Sequence, residues 1–425
     1  MKPSDQAPSF QAWVVCLIAS TFFFYEFIQM NMFNVISQDL MQAFHINATG
    51  LSRMSAFYFV ANVIFLFAAG TLLDRFSARV VILIALAICI VGIVLFSSAT
   101  EEISATIYRF FMGVGSAFCF LSVIRLATRW FHKSHLALVI GLSVTIAMLG
   151  GVVSQKPLSL LVQALGWRKA LLVDAALGLV IFALIYVFVR DYPPEYREQR
   201  EKELAHFTEM GYWKRLKAAF LKLQNWFGGI FACLMNLPVI ILGGLWGTHY
   251  LEAAHRISPQ AAPNITQMLF FGTILGSPFM GWFSDRIGLR KLPMLLGAVI
   301  SLMIILLLLN LNHLQFWSLF FIFFALGMST SAQILGYPVV AENSIPAITA
   351  MSVSVVNISA QGGLALIMPL FGFLMDLHHN MVNHSAPIYV GADFVWAMWL
   401  FPVGFIIAIL AALALRETYC RRRED

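Results

Sequence analysis

Charge is what this sequence of 425 residues has least of, since Asp, Glu, Lys and Arg together make up 11% of it where soluble domains carry about a quarter. Too few charges remain to build a water-facing surface, which excludes an ordinary soluble globular protein. Cysteine is scarce as well. The five present, Cys16, Cys89, Cys119, Cys233 and Cys420, have neither metal-ligand nor redox spacing and read as packing residues. A catalytic set is also missing: no Gly-x-Ser-x-Gly elbow occurs and no histidine pair at helical spacing lies within an apolar run, which argues against an enzyme. His378, His379 and His384 fall together in what reads as a loop, where solvated histidines are expected rather than a metal site. No metal or cofactor is implied. The first apolar run lacks a small-residue cleavage site and contains Glu26, Gln29, Asn31 and Asn34, so it is expected to stay as a span rather than leave as a signal peptide.

What the sequence has in quantity is apolar length: 60% of residues are hydrophobic and the mean hydropathy is +0.82. A helix needs about 20 mostly apolar residues to cross a bilayer, because every backbone polar group there must be satisfied internally. On that ruler the chain holds twelve spans, near 13–35, 52–73, 79–98, 105–128, 136–163, 170–189, 228–251, 266–284, 291–311, 316–340, 348–376 and 393–415. The expected architecture is an all-α polytopic membrane protein. Two six-helix halves, 1–189 and 226–425 with its tail, are joined by a linker at 190–225 that contains six acidic residues, eight basic ones and Pro193-Pro194.

Orientation follows from the Lys and Arg residues. With the N-terminus inside, the cytoplasmic side receives Lys2, Arg75, Arg79, Arg129, Lys133, the linker, Arg286, Arg290, Lys291, Arg416 and Arg421 to Arg423, and the other side little beyond Arg53, Arg168, Lys169 and Arg256. Both termini are therefore expected in the cytoplasm, at a plasma or bacterial inner membrane. The sequence pI of 9.1 then reflects topology and anionic headgroups, with no nucleic acid needed as a partner.

A short signature occurs twice, 211 positions apart, each time where an apolar run ends: Gly70-Thr-Leu-Leu-Asp74-Arg75-Phe-Ser-Ala-Arg79 and Gly281-Trp-Phe-Ser-Asp285-Arg286-Ile-Gly288-Leu-Arg290-Lys291. The repeat makes the chain two related halves. It closely resembles the loop motif of the major facilitator superfamily of secondary transporters, found there between the second and third helices and again between the eighth and ninth. The second copy is nearly complete, whereas the first has Ser77 where a glycine is usual. The resemblance spans essentially the whole chain and implies twelve pseudo-symmetric helices, alternating access, a monomer, and loops at Gly70, Asp74, Arg75, Arg79, Gly281, Asp285, Arg286 and Arg290 that act as cytoplasmic gates.

Ionisable residues inside spans carry the functional information, since a charge near the bilayer centre is retained mainly when it faces a cavity or a partner. Three stand out: Glu26 in span one, Arg109 in span four and Lys156 in span five. Glu26 and Gln29 lie one turn apart on a shared face, and a carboxyl in a cavity that alternately wets and dries can load and release a proton. Arg109 opens Arg109-Phe-Phe-Met-Gly113-Val-Gly115, which looks like the superfamily's fourth-helix motif and implies a part in proton transfer or substrate binding. A structural ion pair is the plainer reading of both residues. Lys156 stands beside Pro157 at the end of an apolar stripe and reads as an anion contact or as a snorkelling lysine.

Antiporters of the superfamily often carry G-x8-G-x3-G-P-x2-G-G in span five, and here Gly141 and Gly150 match but Ser154-Gln155 stands where Gly-Pro would. In the second half the equivalents of Arg109, Lys156 and Glu26 are Phe320, Ile367 and Leu237, so charge recognition belongs to the first half. The second half offers neutral hydrogen bonders, among them Trp246, His249 and Tyr250 in span seven, Ser329, Gln333 and Tyr337 in span ten, and Ser354, Asn357 and Gln361 in span eleven. These could equally be interhelical glue.

The expected function is proton-coupled symport of a small organic anion: a carboxylate, a carboxylate siderophore or a phosphorylated metabolite. Its expected partners are that solute, protons and the lipid bilayer. Glu26 and Arg109 would couple the proton, and Gln29, Arg109, Lys156, Trp246, Tyr250, Gln333, Tyr337, Asn357 and Gln361 would contact the solute. The alternatives are a carrier of zwitterions such as amino acids or small peptides, a drug and proton antiporter, and a channel or non-transporting receptor on the same scaffold.

Overall fold

A computed structural model describes residues 9–131, 133–192, 212–311, 313–344, 348–382 and 389–421. Span one is α1 (Phe10–Asn31) followed by α2 (Phe33–Phe44), span two is α3 (Ala48–Arg75), span three α4 (Ala78–Ser98) and span four α5 (Glu102–Trp130). Span five comprises α6 (Lys133–Val153) and α7 (Lys156–Leu165), and span six is α8 (Trp167–Phe188). A short α9 (Tyr212–Leu221) precedes span seven, which runs through α10 (Leu223–Ile241), a π-helical turn (Leu242–Trp246) and α11 (Gly247–His255). Span eight is α12 (Ala262–Ile287) and span nine α13 (Lys291–Asn310). Span ten is α14 (Phe316–Thr330), a 3-10 turn (Ser331–Leu335) and α15 (Gly336–Glu342); span eleven is α16 (Thr349–Val382); span twelve is α17 (Gly391–Met398) and α18 (Leu400–Ala414). The greater part of the linker, 193–211, lies outside the described residues.

Eleven of these segments are long and apolar enough to cross a membrane by length and composition among the described residues. The remaining expected span, α12, is 26 residues long. Its length suffices, but Asn264, Thr266, Gln267, Thr273 and Ser277 dilute its hydropathy. Those hydroxyls and amides are affordable where they turn toward protein: Thr266 and Thr273 are buried and hydrogen-bonded.

Burial separates lipid-facing spans from enclosed ones. In span six 33% of the most apolar window is buried, against 89% in span seven, so α8 shows Leu172, Val173, Leu179, Val180 and Val187 to the surroundings while α10 and α11 are enclosed by protein. A helix that is apolar all round needs such surroundings, lipid or protein, on every side.

The chain forms two compact units. Unit 1 is Met1–Met30, Phe57–Ser154 and Leu160–Glu209; unit 2 is Asn31–Ala56, Gln155–Ser159 and Met210–Asp425. The boundary therefore does not run through the linker alone. It also crosses span one beside the helix break at Met32, span two within α3 between Ala56 and Phe57, and span five at the break Ser154-Gln155 and again between Ser159 and Leu160.

Inside unit 1, glycines let helices touch backbone to backbone. A Cβ on Gly113 would stand 2.2 Å from the carbonyl oxygen of Tyr58, and one on Gly150 would stand 2.0 Å from that of Phe24. A Cβ on Gly141 would meet nothing within 4 Å. Gly113→Ala should therefore destabilise by roughly 1–3 kcal/mol through overpacking, whereas Gly141→Ala should be neutral or stabilising because alanine is the better helix former. Melting temperatures of the purified variants test the contrast; equal values for both would contradict it.

Candidate functional site

The break in span one creates the first problem that the site must solve. Where α1 ends at Asn31, its last carbonyls lose their intrahelical partners. Arg109, fully buried on α5, supplies donors: its Nη1 bonds the Gln29 carbonyl at 2.7 Å and its Nη2 the Met30 carbonyl at 3.5 Å. A cation at a helix C-terminus also meets the favourable end of the helix dipole. The guanidinium lies 4.6 Å over the Tyr58 ring, and the Tyr58 hydroxyl donates to Glu26 Oε2 at 2.8 Å. One tyrosine thus links the cation to the acid.

The motif glycines make this arrangement fit. Gly113 admits the Tyr58 backbone, and a Cβ on Gly115 would stand 2.9 Å from Glu26 Oε1. Gln29, fully buried, donates to Asp174 Oδ2 of α8 at 2.5 Å. Asp174 is the residue that sequence reasoning missed. It sits one turn inside an apolar run beyond Arg168-Lys169, and a buried carboxyl in span six meets the same criterion as Glu26. Glu26, Gln29, Tyr58, Arg109 and Asp174 form one enclosed polar cluster, all within unit 1.

Lys156 belongs to unit 2, at the start of α7, and its Nζ donates to the Gln260 carbonyl at 2.6 Å. Its neighbour Gln155 has the more connected position. The π turn in span seven puts the backbone ladder out of step, and Gln155 Nε2 bonds the Gly243 carbonyl at 2.9 Å while Asn34 Oδ1 accepts the Thr248 N–H at 3.0 Å. Asn34 and Thr266 both donate to Gln155 Oε1, at 2.6 Å and 2.8 Å. Gly243 and Gly244 are in the turn itself, and a Cβ on Gly247 would collide with the Leu242 carbonyl at 1.9 Å. Of the neutral bonders, Trp246 donates to Ser52 Oγ at 3.2 Å and Tyr250 bonds His255 Nε2 at 2.9 Å. Gln333 lies in the 3-10 turn, and Tyr337, Asn357 and Gln361 are half-buried.

The histidines expected in a solvated loop are placed differently. His378 and His379 end α16, and their Nδ1 atoms bond the two oxygens of the fully buried Asp393 at 2.6 Å and 2.9 Å. The helix runs to Val382, nearly two turns beyond the 376 that hydropathy indicates, and Asp393 satisfies both rings. His384 lies outside the described residues.

The repeated loops share a device that the motif comparison does not contain. Asp191, just after span six, accepts the Arg79 N–H at 3.1 Å and stands 3.6 Å from the Arg129 guanidinium. Glu417, just after span twelve, accepts the N–H groups of Arg290 and Lys291, each at 2.9 Å. Each half thus ends in an acid that caps the N-terminus of its own third span, where a helix favours negative charge. In the second loop Arg290 bonds Asp285 at 2.7 Å and Glu342 at 2.6 Å, and Arg286 lies 5.5 Å over Trp282. The side chains of Asp74 and Arg75 are outside the described residues. A Cβ on Gly70 or Gly281 would meet nothing within 4 Å, so no close approach explains these two glycines.

Comparison with known proteins agrees with this architecture. The family model described as Major Facilitator Superfamily matches residues 18–250 and 228–424. The probable sulfoacetate transporter SauU of Cupriavidus necator is 26% identical over 247 residues, covering 54% of this chain and 55% of that protein. The hexuronate transporter of Bacillus subtilis is 22% identical over 243 residues, 57% of each. The chain thus spans about half the length of the curated relatives it matches. The crystal structure of a D-xylose-proton symporter superposes with a TM-score of 0.74 at 12% identity, covering 97% of this chain and 99% of that one, a likeness of fold.

Two measurements test the second loop. Glu342 is 16% exposed and Asp285 66%, so Glu342→Gln should cost about 1–3 kcal/mol by leaving Arg290 short of a charged partner, and Asp285→Asn under about 1 kcal/mol; reversed melting temperatures would refute the ranking. Burial pushes the Glu417 carboxyl up, but N–H bonds from Arg290, Lys291, Tyr419 and Thr418 outweigh it and hold the group below its ordinary value. A depressed carboxyl stabilises at neutral pH and loses that contribution as pH falls below about 4. The fall of melting temperature through that acid range should be shallower in Glu417→Gln than in the wild type.

Proposed function

The chain belongs to the major facilitator superfamily of secondary transporters, and on that premise we propose that it carries a small organic anion together with a proton by alternating access. The observation that carries this reading is the buried cluster in which Arg109 is linked through Tyr58 to Glu26 and, through Gln29, to Asp174. One permanent cation faces two carboxyls. With both ionised the cluster holds net negative charge in an apolar surrounding, and one proton brings it to neutrality.

Coupling follows from competition for Arg109. An ionised Glu26 competes with an incoming anion for the guanidinium, and a protonated one does not. Proton and anion therefore enter together. Glu26 and Asp174 are the proton-accepting groups, and Arg109 holds the anion by its planar fork once the α1 carbonyls release it. Sulfoacetate and hexuronate, named for two relatives, are organic anions, which supports the solute class. Lys156, bonded to the Gln260 carbonyl, is not required for the coupling step. Gln333, Tyr337, Asn357 and Gln361 supply neutral hydrogen bonds to the solute's hydroxyl or carbonyl groups. The loops at Asp74 and Asp285 close the cytoplasmic side, with both termini in the cytoplasm.

The antiport reading is disfavoured by Gln155. A Gly-Pro pair at Ser154-Gln155 would remove the side chain that bonds the Gly243 carbonyl.

Transport in proteoliposomes tests the proposal. Glu26→Gln should abolish accumulation driven by a pH gradient while sparing counterflow exchange, and accumulation at the wild-type level would refute the role given to Glu26. Arg109→Lys keeps the charge but loses the fork, and should lower kcat/KM for an anionic solute by about tenfold or more. An unchanged value would return Arg109 to a purely structural cap.

A further inference from the structure

Unit 2 contains a cavity of about 640 Å³ between the end of α2, α11, the end of α16 and the segment from Tyr389 to Phe394, a size suited to a small ligand. None of the polar cluster of unit 1 lines it. Trp246 and Phe394 form part of its wall, 5.9 Å apart and edge to face, and Tyr389 adds a third aromatic ring. The polar ends of two of these are already occupied: Trp246 donates to Ser52, and Tyr389 both accepts the Ala48 N–H at 2.8 Å and donates to Asp376. Their faces are what they have left to offer.

His249 is the informative residue. It is 7% exposed and lines the cavity, its Nδ1 stands 3.5 Å from Glu252 Oε2, and its Nε2 has no hydrogen-bond partner. A buried polar atom without a partner is costly, and a ligand would remove that cost. Nδ1 has no hydrogen-bond partner either, and since a neutral imidazole keeps one of its two nitrogens as an acceptor, the ring has an unpartnered acceptor that asks for a hydrogen-bond donor. Among the described lining residues Glu252 is the one carboxylate, no lysine or arginine is present, and His45 and His379 add two further imidazoles. One carboxylate, an unpartnered acceptor and aromatic faces together favour a cation that bears N–H groups.

We propose that this cavity is a binding site for a small organic ammonium ion, held by Glu252 and the acceptor nitrogen of His249 and stacked on the Trp246, Phe394 and Tyr389 rings. The site is separate from the coupling cluster and does not depend on which solute is transported.

Calorimetric titration of the purified full-length protein at pH 7.5 with n-butylammonium, tetramethylammonium and butyrate tests the proposal. Butylammonium should bind saturably and butyrate at least about tenfold more weakly. Glu252→Gln should weaken both cations, whereas His249→Phe, which keeps a ring but removes the acceptor, should weaken butylammonium and spare tetramethylammonium. Ala253 lines the cavity and is exposed, so an Ala253→Cys variant locates the ligand without altering the binding groups: butylammonium should slow maleimide modification of that thiol by about threefold or more at saturation. Butyrate binding as tightly as butylammonium, no saturable cation binding to the wild type, or unaltered modification of Ala253→Cys would each overturn the assignment.

Discussion

The contact of the Arg109 guanidinium with the carbonyls of Gln29 and Met30 is the interaction on which the first unit depends. A helix broken inside an apolar medium exposes carbonyls that no solvent can satisfy, and a buried arginine is a charge that no solvent can stabilise. Each is the remedy for the other. Once they are joined, Tyr58 lies beneath the cation and Glu26 beside the tyrosine, and the two glycines of span four become obligatory because backbone and carboxyl occupy the space of their side chains.

Much of this was legible beforehand. The span count, the repeat and the choice of Glu26, Gln29 and Arg109 follow from hydropathy and from the cost of charge in lipid, and α12 shows where hydropathy thins without the helix ending. Partnerships were not legible, because they depend on which helices meet. Asp174 pairs with Gln29 across 145 positions, and nothing local to either residue announces it. Glu342 is likewise the better-buried partner of Arg290, although Asp285 is the residue in the motif. Sequence also described Ser154-Gln155 as a departure from a family pattern without saying what a glutamine there would do.

The repeat extends into chemistry that the motif does not spell. Asp191 and Glu417 each follow the last span of a half and cap its third, so each six-helix half is fastened end to end by one carboxylate on a helix N-terminus. The device needs an acid within reach of the first donors of a helix, the Ser77 hydroxyl and the Arg79 N–H for Asp191 and the Arg290 and Lys291 N–H groups for Glu417, and little else. That explains why the flanking sequences share no obvious pattern.

The junction of Asn34, Gln155 and Thr266 with the π turn has a different character. Its members are amides, a hydroxyl and backbone groups, with no formal charge among them. Neither acid, nor salt, nor a voltage across the bilayer changes the strength of such bonds appreciably, whereas the cluster around Arg109 contains a cation and two carboxyls, on which a voltage acts. One part of the molecule is thus electrically responsive and another electrically silent. A joint of the silent kind holds with the same force on an acidified membrane as on a neutral one, and it parts only when the helices that bear it are moved.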